Sequence, residues 1–192
     1  MTGPVRGDDD LARCPWGDAP PEYRRYHDVE WGRQTSGTRE LFERISLEAF
    51  QSGLSWLTIL RKREAFRSAF AGFEPAVVAT YGRSDAERLL ADAGIVRNRA
   101  KIEATIANAR AVLDLDRPLG DLVWSFAPDP EGRAAPVTLD EVPATTAEST
   151  ALARELRRHG FRFVGPTTAY ALMQAAGLVD DHLAGCWVRG RR

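Results

Sequence analysis

Cysteine is nearly absent from this chain. Cys14 and Cys186 are the only two, at opposite ends of 192 residues, so a small scaffold built on several disulfides is excluded. Lysine is equally scarce: Lys62 and Lys101 stand among 26 basic side chains, and the rest are arginine. Net positive charge is missing too. The 26 basic residues meet 27 acidic ones, for a net charge of −1. A nucleic-acid partner therefore cannot be read from bulk charge and would need arginines gathered on one face. No stretch approaches the roughly 18 apolar residues that span a bilayer. The opening segment is polar, acidic at Asp8, Asp9 and Asp10, and lacks the apolar run of a secretion signal. These absences lead us to expect a cytoplasmic protein without membrane contact, acting as a monomer. Residues 1–12 are expected to be a disordered extension and residues 13–192 a single domain.

Alternating strand patterns are also missing, and the fold class expected is all-α. Apolar residues recur at helical spacing over Thr38–Gln51 (Leu41, Phe42, Ile45, Ala49), over about Trp56–Phe70, and from about Asn98 to Leu115 (Ile102, Ile106, Ala109, Leu113). Pro75 opens a short helix. Ser84 with Glu87, and Thr145 with Glu148, have the spacing of capping boxes. Residues 127–143, rich in Pro, Asp and Gly, read as the longest loop. A helix reaches His159 and stops at Gly160, and Pro166 opens another that ends at Gly177.

Cys14 and His27 lie near one end, and His182 and Cys186 near the other. The second pair has the four-residue spacing that places two side chains on one face of a helical turn. Two thiolates and two imidazoles make a full tetrahedral zinc set. Spacing alone leaves a second reading open, in which both cysteines are buried small hydrophobes and the histidines ordinary polar residues.

The stretch 146–177 reads as helix, tight turn, helix, and resembles the helix-hairpin-helix element of DNA repair glycosylases. On spacing alone a plain antiparallel helix pair is the favoured reading. Ahead of it stand Cys14-Pro-Trp16, Tyr26-His-Asp-Val-Glu-Trp31-Gly32, Leu47-Glu48-Ala-Phe-Gln51-Ser-Gly53-Leu54-Ser-Trp56, Asp92-Ala-Gly-Ile-Val-Arg97-Asn98-Arg99-Ala-Lys101, Asn108-Ala-Arg110 and Val123-Trp124-Ser-Phe126. In that order, from Cys14 to Cys186, these motifs resemble the family of DNA-3-methyladenine glycosylases of type I.

The resemblance implies a helix-hairpin-helix architecture whose ends are joined by a structural zinc on Cys14, His27, His182 and Cys186. It implies a base pocket in which Trp56 stacks on a flipped purine, Trp16, Tyr26 and Trp31 form the walls, and Glu48 meets the purine's polar edge. Leu54 is implied as the wedge that fills the gap in the duplex. Gly165, Thr167 and Thr168 are implied at the DNA backbone, where a helix N-terminus can hold a phosphate. The substrate implied is double-stranded DNA carrying alkylated bases, with hydrolysis of the N-glycosidic bond of 3-methyladenine. Thr167 stands where bifunctional relatives carry a lysine, which implies no strand cleavage.

Physical chemistry agrees. Extruding a base costs a few kcal/mol, recovered by stacking and edge contacts. 3-Methyladenine in DNA is cationic, and aromatic faces and a carboxylate both favour a cation. Asp180, in Val179-Asp180-Asp181-His182, stands where the superfamily carries its catalytic Asp. It either stabilises the sugar cation or orients water, or else it supports His182. Phe50 stands where a polar residue is usual and is expected to alter base preference. Arg97, Asn98, Arg99 and Lys101 are candidate phosphate contacts, and Arg61-Lys62-Arg63 a solvated helix face. Two other readings compete: a zinc-stapled DNA-binding module without catalysis, and a zinc hydrolase acting on a small substrate.

Overall fold

In the computed structural model, residues 2–129 and 133–191 are described. Residues 130–132 of the expected loop, and both terminal residues, lie outside them. Nine α-helices run in the order α1 Pro21–Val29, α2 Thr38–Gln51, α3 Trp56–Ala69, α4 Pro75–Val78, α5 Arg83–Ala91, α6 Arg99–Leu113, α7 Leu119–Trp124, α8 Ala147–Arg158 and α9 Pro166–Ala175 among the described residues. The all-α expectation needs one amendment. Val5–Arg6 (β1) pairs antiparallel with Ala12–Arg13 (β2), Val5 opposite Arg13.

This hairpin corrects the expectation of a disordered lead-in over residues 2–12. Its cause is electrostatic. Arg13 is buried, and a buried guanidinium needs partners. It finds them in Asp9, at 2.6 and 2.7 Å, and in Asp28, at 2.8 and 3.0 Å. Asp9 belongs to the acidic run that suggested disorder. Trp187 N donates to Ala12 O at 2.8 Å, so the C-terminal segment docks on the same strand.

Helix α2 occupies the centre and packs against α3, α6, α7 and α9. Leu41, Phe42, Ile45 and Ala49 are buried on it as the periodicity requires. Phe50 joins Phe66 at 4.6 Å and Phe70 at 6.0 Å, and Phe70 stacks on Phe73 at 5.6 Å. Burial of each such ring is worth about 1.5–3 kcal/mol. Side-chain caps start three helices: Ser55 accepts from Thr58 N, Asn98 from Lys101 N, and Thr146 from Ser149 N, all at 3.2 Å.

Two expected capping boxes sit elsewhere. The second runs through Thr146 and Ser149, one residue beyond Thr145 and Glu148. In the first, Asp85 accepts from Gly82 N at 3.0 Å, while Glu87 pairs with Arg83. At both places the chain enters the helix at a neighbouring residue, and the cap follows the entry point.

Helices α8 and α9 form the expected antiparallel pair, joined by a turn over residues 159–165. Gly160 takes a left-handed φ of 88° just past α8, the conformation that glycine tolerates at a helix end. The segment carrying His182 and Cys186 is not helical, which corrects the shared-turn expectation. Both residues lie on irregular backbone, in which Cys186 N donates to Leu183 O at 2.9 Å.

Candidate active site

A cavity of about 390 Å³ opens between α1, α2, the start of α3 and α9. That volume suits a single planar base. Helical spacing builds its walls. Tyr23 and Tyr26 are one turn apart on α1, Glu48 and Gln51 on α2, and Ala171 and Gln174 on α9, and each pair faces the cavity. Trp56 enters as the first residue of α3, and Trp16 from a short turn after Cys14.

The structure brings Trp16, Tyr26, Trp31, Trp56 and Glu48 together around this one space. The rings of Tyr26 and Trp56 lie 5.4 Å apart, tilted by 47°. Trp16 stands edge-on to Trp31 at 4.9 Å and to Tyr23 at 5.8 Å. Tyr23 went unread in the sequence. It anchors the cavity as well as lining it, because its hydroxyl accepts from Leu57 N at 3.0 Å. Its place one turn before Tyr26 was the available signal.

Glu48 is 7% exposed. Burial pushes its carboxyl up to about 8, against the pull of the Arg44 charge. Burial and the nearby Glu48 charge also push the Tyr26 hydroxyl above its ordinary range. The buried Trp56 indole nitrogen has no hydrogen-bond partner among the described residues.

The acids after α9 are placed differently from the reading of the sequence. Asp180 does not line the cavity. Its Oδ1 lies 2.9 Å from His182 Nδ1 and 3.2 Å from His182 N, and its Oδ2 accepts from Gly190 N at 3.3 Å. Asp181, which was not singled out, is the acid at the cavity floor. It accepts from Tyr170 Oη at 2.5 Å, Gln174 Nε2 at 2.9 Å and Arg133 Nη2 at 2.7 Å. Burial, then the bond to Asp181, holds the Tyr170 hydroxyl up at about 12.

Other expected residues lie on surfaces. Leu54 is 42% exposed in the turn between α2 and α3, where Gly53 takes a φ of 81°. Thr167 and Thr168 open α9. Gly165 is extended, with a φ of −100°, and an added Cβ would meet only Arg157 at 3.7 Å. Close packing therefore does not require glycine there. Phe50 is fully buried among phenylalanines and does not reach the cavity. Lys101 is no phosphate contact. Its Nζ donates to Phe50 O at 2.8 Å and Ser52 O at 2.6 Å, closing the C-terminal end of α2. Burial lowers its pKa.

Behind Trp16 and Trp31 lies a cluster of potential metal ligands. Ligand atoms of Cys14, His27 and Cys186 all fall within 4.8 Å of one another. His182 lies just outside that group, its ring 5.1 Å from that of His27. Each imidazole rests its Nδ1 on a carboxylate: His27 on Asp28 at 2.8 Å, His182 on Asp180. His27 Nε2 points to Cys186 Sγ at 3.5 Å, and His182 Nε2 is buried without a partner among the described residues. The Cys14 thiol hydrogen-bonds to the Cys186 sulfur, which favours the thiolate on Cys186 and the thiol on Cys14. Cys14, His27 and Cys186 thus form a group able to hold a cation, with the Asp28 carboxylate behind His27.

Comparison with known proteins bears on this geometry. Residues 16–189 match the family described as methyladenine glycosylase. The chain is 47% identical over 179 residues to DNA-3-methyladenine glycosylase 1 of Escherichia coli K12, covering 92% of this chain and 96% of that one. It is 42% identical to DNA-3-methyladenine glycosylase of Haemophilus influenzae, covering 91% and 96%. A crystal structure of 3-methyladenine DNA glycosylase I superposes with a TM-score of 0.86 at 46% identity, over 91% of this chain and 98% of that chain. The enzyme from Staphylococcus aureus, whose structure concerns 3-methyladenine recognition, superposes with a TM-score of 0.85 at 33% identity, over 94% and 97%.

Proposed function

Because the chain belongs to the methyladenine glycosylase family, we infer that it excises 3-methyladenine from double-stranded DNA in base-excision repair. The observation that carries the reading is Glu48, a buried carboxyl within an aromatic cavity sized for one base.

The selectivity follows from where charge is stable. With the cavity empty, burial keeps the Glu48 proton on at neutral pH. A cationic purine supplies the opposite charge that lets the carboxylate form beside it. Neutral adenine supplies none. Trp56 and Tyr26 offer π faces that also favour the cation. The wall holding Glu48 thus rewards the methylated base with a charge-assisted contact denied to the normal one.

Little chemistry is then needed. The base leaves as a neutral purine once the bond to C1′ breaks, so no acid must protonate it. Water adds its hydroxyl to C1′ and gives its proton to solvent. The chain's own part is to hold the extruded base in a dry site while positive charge grows on the sugar. Asp180 rests on His182 Nδ1, and its part in this reading is to support that histidine. Leu54, exposed in the turn between α2 and α3, would fill the vacated stack. Thr167 and Thr168, opening α9, offer the helix end that takes a phosphate.

Cleavage of the strand is not expected. Both lysines spend their amines on carbonyls, Lys62 on Ala93 O and Gly94 O, Lys101 on the end of α2. Cys14, His27, His182 and Cys186 would hold a zinc with no open position, so the ion would tie the first ordered segment to the last.

Methylated duplex DNA incubated with the protein should release free 3-methyladenine and leave the strands intact. Failure to release any base would leave the DNA-binding module without catalysis. Release of a different base would redirect the substrate assignment.

A further inference from the structure

We propose that Asn108 is the positioning residue that presents the tip of the α8–α9 turn, Arg162 and Phe163, to the DNA backbone. The proposal rests on the reading that duplex DNA is the substrate.

Asn108 lies on α6, 54 residues before the tip, and is 1% exposed. Its amide grips a single residue of the turn from both sides. Oδ1 accepts from Arg162 N at 2.7 Å, and Nδ2 donates to Arg162 O at 3.1 Å. A second grip comes from α8, where Arg157 Nε donates to Val164 O at 2.7 Å. Between the two grips sits Phe163, with a left-handed φ of 56° and a side chain 44% exposed. A bulky residue rarely takes that conformation unless its surroundings impose it. The imposed geometry points an aromatic ring outward, where burial would be the default.

The chemistry on the outer side suits a polyanion. Arg162 is exposed. It lines a groove of about 570 Å³ with Arg83, Arg99 and Arg110. Arg110 is committed to Ala79 O and Tyr81 O, and Arg83 and Arg99 face Glu87 and Glu103. Arg162 is the cation nearest the turn. The free N–H groups opening α9 lie just beyond, after Pro166. A tip fixed before DNA arrives loses no conformational entropy on binding. Asn108 contributes that fixation without touching DNA itself.

The test uses Asn108→Ala in the full-length protein with two readouts. One is binding of a duplex carrying an abasic-site analogue, with KM and kcat on methylated duplex. The other is binding of free 3-methyladenine, read by quenching of the cavity tryptophans. The expected result is a five- to twentyfold weaker duplex affinity and a matching rise in KM. Saturating kcat and free-base affinity should stay within twofold. Arg162→Ala should weaken binding and lower the salt slope by about 1. Adding Asn108→Ala to it should then cost less than Asn108→Ala costs alone. Should Asn108→Ala fail to fold, Asn108→Asp keeps the acceptor for Arg162 N and loses the donor to Arg162 O, and its effect should fall in between. Unchanged duplex affinity, or equal loss of duplex and free-base binding, would overturn the proposal. Absence of base release by the unsubstituted protein would instead defeat the DNA reading itself.

Discussion

Asp180 Oδ1 lies 2.9 Å from His182 Nδ1, and the other nitrogen of that ring is buried without a partner among the described residues. The carboxylate holds that ring in place through Nδ1. Asp180→Asn should therefore leave single-turnover base excision within about twofold of the parent. It should weaken zinc retention by roughly 10–100-fold in a chelator competition, the usual loss when the residue behind a histidine ligand is changed. A large fall in excision with zinc affinity unchanged would return Asp180 to the sugar.

Glu48 titrates at about 8 because burial disfavours its charge. Its folded pKa is raised above the unfolded value. The stability from holding the proton is complete below about 4.5 and is lost as pH rises towards 8. Glu48→Gln cannot ionise and escapes that loss. Its unfolding free energy should match the parent near pH 4.5 and exceed it above pH 8, by at most about 5 kcal/mol. The same substitution should lower kcat/KM for methylated DNA by roughly 30–100-fold through the lost charge-assisted contact. Denaturant titrations at several pH values decide the first point. Equal stability of both proteins at pH 8.5 would mean that Glu48 is not held in a dry site.

Arg133 brings the long loop to the cavity floor, where it meets Asp181 at 2.7 Å and Tyr170 at 3.0 Å. The Asp181 side chain is 1% exposed and that of Arg133 28%. Arg133→Met should leave the Asp181 carboxylate held, among the described residues, by Tyr170 and Gln174. The expected destabilisation is roughly 1–3 kcal/mol, below that of a fully buried pair because Arg133 is partly solvated. Adding Asp181→Asn should recover part of it, measured as a double-mutant cycle. Additive losses would show that the two side chains do not interact.

Helix α2 was legible in the sequence over its full extent, because Leu41, Phe42, Ile45 and Ala49 repeat at 3.6 residues and Gly53 ends the pattern. The cavity was legible where its residues ride on such helices, as Tyr26 and Glu48 do. Asp180 and Asp181 were not. They occupy irregular backbone, where no period says which way a side chain points, and one residue of offset exchanges the cavity for the histidine. The β1–β2 hairpin escaped for another reason. Its order comes from Arg13 gripping Asp28, a contact 15 residues away that composition cannot reveal. Lys101 misled because helix starts commonly bear exposed cations, whereas its aliphatic stem runs inward to the carbonyls of Phe50 and Ser52.

That inward course separates two roles open to a scarce lysine. A Schiff-base nucleophile needs a free amine beside the sugar, and the Lys101 amine is engaged, donating hydrogen bonds to the carbonyls that end α2. Borohydride added to the protein with abasic duplex should trap no covalent complex. Lys101→Met should keep single-turnover excision near the parent value while destabilising the fold by roughly 2–4 kcal/mol, since two carbonyls lose a charged donor. Both outcomes follow from one fact, that this amine is a helix cap. A trapped adduct that disappears in Lys101→Met would make it a nucleophile, and strand cleavage would then have to be added to the activity.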